Sequence, residues 1–134
     1  MKRIELCIPA ERNMLLVVRM TTSGVASRAG FTLDEMDDMK MAVDEACNLM
    51  MLQKPGCQTL RFTYEYDEES VTALIEGQEF EAVAEEAADT NMQEVIRCIL
   101  ESMVDEVTLT EKAVGRIGAV KLKKNIPSGR RAAV

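Results

Sequence analysis

The apolar positions change period several times along the chain, and each change marks an element. Residues 3–8 alternate, with Ile4, Leu6 and Ile8 on one side and Arg3, Glu5 and Cys7 on the other. This is the period of a half-buried strand, and Pro9 closes it. From Ala10 the spacing becomes helical through Leu15, Val18 and Val25, and Gly30 is placed to end that helix in a left-handed turn, although Thr21 to Gly24 are poor helix formers. Thr32 and Glu35 then stand three apart as a capping box, with Phe31 able to staple onto Met36, which predicts a helix over 33–52. Its apolar positions Met36, Met39, Val43, Ala46, Cys47 and Met50 run in steps of three and four toward a core, and Lys54-Pro55-Gly56 stops it.

Beyond that stop, Leu60, Phe62, Tyr64 and Tyr66 alternate with Arg61, Thr63 and Glu65, and 67–69 turn the chain into a second run over 71–75, the pattern of a hairpin. Residues 80–89 are acidic and without apolar period, and read as a loop or lid. Thr90 and Gln93 form a second capping box ahead of Val95, Ile96, Ile99, Leu100 and Met103 on one helix face. A last hairpin sets Val107 and Leu109 against Val120 and Leu122 around Gly115. The order strand, helix, helix, strand, strand, helix, strand, strand predicts an α+β fold of two layers. A mixed sheet of about five strands carries three helices on one face, in a single domain over 1–125 with a flexible basic tail over 126–134.

Composition narrows the chemistry. The formal net charge of −7 argues against wrapping nucleic acid, because only 121–131 could begin to supply a basic face. The chain has no histidine, and its four cysteines, Cys7, Cys47, Cys57 and Cys98, form no CxxC, so zinc sites and disulfide frameworks are poor expectations. The longest strongly apolar uncharged run, 14–18, is far below the ~20 residues that span a bilayer. These features predict a cytoplasmic protein whose partners are proteins or small ligands rather than membranes or nucleic acid.

One stretch carries a more specific signal. Pro9-Ala10, Arg19, Gly30-Phe31 and the run 35–47, ending Ala42-Val43-Asp44-Glu45-Ala46-Cys47, resemble the anti-sigma-factor serine-protein kinase branch of the GHKL ATPases, which have the Bergerat, or histidine-kinase-like, fold. Residues 99–107 look like that family's helix and strand after its lid, and 120–124 like its last strand. The resemblance implies a protein serine/threonine kinase using Mg-ATP, with Glu45 as catalytic base, an asparagine four residues later on the metal, and an aspartate-x-glycine box on the adenine. Residue 49 is instead Leu49, while Asn48 stands three after Glu45 and takes the metal and nucleotide roles by default. In Ile75-Glu76-Gly77-Gln78, Gly77 answers to the adenine-box glycine, and Glu76 replaces the aspartate only through a local shift. The family's two phosphate-approach glycines map onto Glu94 and Ile96. A carboxylate ~5 Å from a triphosphate at a helix start costs on the order of 3 kcal/mol.

The resemblance implies a sigma factor or an anti-sigma-factor antagonist as partner, with a homodimer as a further option. Two functional readings follow. One is a regulator that works by protein binding in a partner switch with ATP binding weakened or lost. The other is an active ATP-dependent kinase that phosphorylates the antagonist. Taken without the resemblance, Glu45 is one more solvated carboxylate on an acidic helix, Asn48 an exposed helix asparagine and Gly77 a bend at a strand end.

Overall fold

The computed structural model describes residues 1–53, 56–80, 90–113 and 116–127. Strand β1 (Lys2–Pro9) leads through a 3-10 turn (Arg12–Met14) to helix α1 (Leu15–Ala29) and helix α2 (Leu33–Leu52). The hairpin β2 (Cys57–Tyr66) and β3 (Ser70–Phe80) follows, then α3 (Thr90–Glu101) and the hairpin β4 (Glu106–Ala113) and β5 (Arg116–Asn125).

Period-two patterning places one apolar face on the sheet. In register, Leu6 faces Phe62, Phe62 faces Ile75, Ile75 faces Val120 and Val120 faces Leu109, a row that crosses all five strands. The strand order is β1-β2-β3-β5-β4, and every neighbouring pair is antiparallel where a mixed sheet was expected. The crossover through α3 does set β4 parallel to β3, but β5 folds back into the gap between them. No parallel pair therefore becomes adjacent.

Helix α2 keeps the limits its sequence predicts. Thr32 N–H donates to Glu35 Oε1 at 2.8 Å, and Glu35 N–H donates to Thr32 Oγ1 at 3.3 Å, so the capping box is closed at both bonds. The first helix starts later than the change of period at Ala10. There the Ala10 N–H still reaches back to the Gln58 carbonyl at 2.8 Å, and the Met14 N–H bonds the Glu11 carbonyl to form the 3-10 turn. Gly30 ends α1 at φ 92, as its position predicts. Poor helix formers survive inside α1 because Thr21 and Thr22 turn their hydroxyls onto the Val17 and Val18 carbonyls, both at 2.8 Å. Between β2 and β3, Asp67 Oδ1 accepts from the Glu69 and Ser70 N–H groups, which holds its carboxyl below the usual range. The proposed lid over 81–89, the Thr90 side chain of the second capping box and residues 128–134 lie outside the described residues. Ile126 departs from the expected tail: it is 6% exposed, and its N–H donates to the Glu69 carbonyl at 2.7 Å.

The core lies between the apolar sheet face and the helices, with α2 in contact with α1, α3, β3 and β5. Ala26, Ala29, Ala42 and Ala46 are fully buried and let α1 and α2 approach closely. One polar contact is sealed among them: Tyr64 Oη and Thr22 Oγ1 are 2.7 Å apart. Since the Thr22 hydroxyl donates to Val18, the tyrosine is the donor in that pair. Burial pushes the Tyr64 hydroxyl well above its usual pKa and the Cys47 thiol up to about 12.

Two outcomes follow from this core. Thr22→Val strands the buried Tyr64 hydroxyl and should destabilise by about 1–3 kcal/mol in urea unfolding, while Tyr64→Phe alone should cost less. Adding Tyr64→Phe to Thr22→Val should recover part of the loss. At about pH 8 a thiol reagent should label the exposed Cys7 and Cys98 in the native protein and reach Cys47 only on unfolding. Prompt labelling of Cys47 would contradict the packing of α2.

Candidate functional site

Helix α2 has two sides, and they decide where the candidate residues fall. Its buried arc holds Met39, Ala42, Val43, Ala46, Cys47, Leu49 and Met50, while Asp44, Glu45 and Asn48 are partly exposed. At about 100° per residue, Asn48 lies roughly 60° from Glu45 on one flank and Leu49 roughly 40° from it on the other. The Asn48 flank faces α1, because Asp44 on that side accepts the Arg19 Nε–H with both carboxylate oxygens, at 3.1 and 2.9 Å. The next position four residues on is committed to packing: Leu49 is 4% exposed and part of the core. Glu45 and Asn48 thus share the outer face of α2, and Asn48 Oδ1 is buried with no hydrogen-bond partner among the described residues.

Gly77 sits elsewhere, under the core side of the same helix. A Cβ built there would lie 2.5 Å from Phe80 Cζ and 2.9 Å from Met50 Cε, so the space a glycine leaves is filled by the chain itself. Glu79, at φ 56, bends the end of β3 next to that ring. The Lys112 ammonium stands over the same ring, 4.3 Å from the Phe80 centroid, a cation–π contact. Lys112 belongs to β4, and its stem crosses β5 where Gly118 has no side chain; a Cβ at 118 would meet Lys112 Cβ at 2.9 Å. Nearby, the Gln53 side chain closes a bulged stretch of β5 by donating to the Ile117 carbonyl at 2.9 Å and accepting from the Ile117 N–H at 2.6 Å.

The structure therefore brings Glu45 and Asn48 together and leaves Gly77 on the opposite side of α2. Glu76 pairs with Arg61 and Ala119 in register, on the sheet face away from the helices. At the start of α3, Glu94 is exposed, and Ile96 is buried in the core. Among the described residues, no group of three or more Asp, Glu, Cys or His is arranged to hold a metal. No described helix is long and apolar enough to cross a membrane. Sequence reasoning missed the Phe80 ring as the filler of the Gly77 site, the Lys112 clamp and the Arg19–Asp44 link. The first two arise from a backbone bend and a cross-strand reach that no local pattern announces.

No protein-family model matches the chain. It is similar to a serine-protein kinase RsbW from Bacillus subtilis, with 39% identity over 83 residues, 58% of this chain and 52% of that protein. A serine-protein kinase RsbW from Halalkalibacterium halodurans is 36% identical over 81 residues, 58% of this chain and 50% of that protein. One from Bacillus velezensis is 57% identical over a shorter stretch of 44 residues, 33% of this chain and 28% of that protein. The chain spans about half the length of the first two relatives. Over the matched stretch the chain is similar to serine-protein kinases named RsbW, the branch its sequence resembles.

Proposed function

We propose that the chain is an anti-sigma-factor-like regulator that acts by binding a protein partner, a sigma factor or its antagonist, in a partner switch, with ATP binding weakened or lost. The observation that carries this reading is Leu49. It holds the place of the expected metal asparagine and is buried in the core, where its burial contributes about 2 kcal/mol to stability. Other features agree with it. The cradle at Gly77 is filled by Phe80 and Met50, Asp44 is engaged by Arg19, and Glu94 brings a negative charge to the start of α3. Phosphoryl transfer rests on positioning and charge neutralisation around Mg-ATP, and these residues fit that group poorly, so no catalytic step is derived through it. Protein binding asks less of them. Helix α1 presents Leu16 (64% exposed), Val17 and Met20 (68%), and α3 presents Met92, Val95 and Ile99, apolar surface of the kind that marks protein interfaces.

One observation favours the alternative reading as an active kinase. The unpartnered Asn48 Oδ1 beside Glu45 is an open acceptor that a cation could fill. Calorimetry of the unmodified protein with Mg-ATP and Mg-ADP separates the two, and it should show no saturable heat below millimolar nucleotide. A micromolar dissociation constant would instead favour the kinase, with Glu45 as base and Asn48 on the metal side. Glu45→Ala should change stability by no more than about 0.5 kcal/mol and leave partner capture intact. Leu49→Asn, which buries an amide where a leucine packed, should cost about 3 kcal/mol or more in urea unfolding.

A further inference from the structure

Strand β5 carries Lys121, Lys123 and Lys124 near its end, and the pleat sends them to different sides of the sheet. Lys124 faces the helices, where its Nζ donates to the Met103 carbonyl at 2.9 Å and stands 3.6 Å from Asp38. Lys121 and Lys123 point the other way, onto the sheet face away from the helices. In register they stand beside Thr108 and Glu106 of β4. These four side chains line a hollow of about 200 Å³. We propose that this hollow binds a phosphate group, free or carried as a small monoester, between the ammoniums of Lys121 and Lys123 and the Thr108 hydroxyl. The site lies on the other side of the sheet from Glu45 and from the exposed helix faces, so it does not depend on the partner-binding reading.

Charge decides the class of ligand. The chain is acidic, with a formal net charge of −7, yet Glu106 is the one carboxylate lining this hollow, against two ammoniums. The neighbours on the same face are neutral: Thr72 and Leu74 of β3 stand opposite Lys123 and Lys121, and Thr110 pairs with Ala119 beyond them. The next carboxylates along that face are Glu65, across Thr72, and Glu76, across from Ala119. Lys121 makes no ion pair among the described residues. Lys123 has only a loose one, with its Nζ 3.5 Å from Glu106 Oε2 and both side chains well exposed, a contact that a doubly charged anion can outcompete. Two residues apart on one strand face, Lys121 and Lys123 have Cα atoms about 6.7 Å apart, within reach of one phosphate for two flexible stems. The Thr108 hydroxyl beside Lys121 adds a hydrogen-bond donor. A phosphate carries roughly −1.5 to −2 charges at neutral pH, which answers two ammoniums better than a carboxylate does. The hollow is also smaller than the roughly 300 Å³ at which pockets for drug-sized ligands begin, so it suits a phosphate with few further atoms.

Amide spectra of the isotope-labelled full chain test the site, in titrations with inorganic phosphate and separately with glycerol phosphate, chloride holding the ionic strength constant. Both titrations should saturate in the millimolar range and shift the amides of Thr108, Lys121 and Lys123 while those of α1 and α2 stay in place. Tighter binding of the ester marks the group as one carried on a larger molecule, and equal binding marks the free ion. Lys121→Gln should weaken binding about fourfold, the effect of one unit charge about 5 Å away in water. Glu106→Gln, which removes the carboxylate facing the ligand, should strengthen it about twofold or more. Lys2→Gln loses the same charge on β1 and should leave the affinity unchanged. Amides away from the substitution should keep their positions in each variant, which reports an intact fold. Shifts that never saturate, shifts spread over every exposed lysine, a Lys121→Gln variant that binds like the parent, a Glu106→Gln variant that binds more weakly, or a Lys2→Gln variant that loses as much as Lys121→Gln would each overturn the proposal.

Discussion

Everything in this molecule depends on one buried surface, the contact of α2 with the apolar face of the sheet. A sheet with one covered face needs a lid of apolar side chains, and α2 supplies most of it, with Met39, Val43, Ala46, Cys47 and Met50 fully buried. The row from Leu6 to Leu109 gives the sheet a face that all five strands share, and a shift of α2 would break its contacts with β3 and β5 at once. The helix is therefore fixed in rotation as well as position. Whatever chemistry the site offers has to be written on the arc of α2 that the core does not use.

That fixed rotation explains how much of the fold was legible in the sequence. The limits of α2 were readable because a capping box starts it and a Lys-Pro-Gly stop follows it, both local signals that the tertiary structure has no reason to override. The strands were readable because one face is buried and period two survives. The insertion of β5 between β3 and β4 was not, since nothing local records which edge a returning hairpin joins. Ile126 reads as tail because a basic stretch surrounds it, yet its side chain is buried in the core and its N–H donates to the Glu69 carbonyl.

The candidate site was legible as residues but not as geometry. Glu45 and Asn48 could be named only through the family resemblance, and the helix does put them on one face. The Phe80 ring against Gly77 could not be named. It depends on a left-handed residue at Glu79 and on a lysine reaching across a strand through the gap at Gly118, two features set by three-dimensional closeness. A glycine in a sequence announces space without saying what fills it.

A helix separates by angle what a sequence separates by one position. Moving the asparagine from four residues after Glu45 to three swings it about 100° around the helix, from the flank that the core has taken to the flank that faces α1. A side chain at residue 49 is shielded from water, so it is held there by packing, which is what Leu49 does. With leucine there, an asparagine is hard to introduce in one step: its amide would be buried without a partner unless neighbouring side chains changed with it. Surfaces for partners escape this constraint. The exposed faces of α1 and α3 lie outside the core, so they can be retained or altered without disturbing it. In this reading, a chain that kept its α2 scaffold while losing the positions around the nucleotide would keep its capacity to bind proteins, because the partner surfaces lie on α1 and α3 rather than on α2.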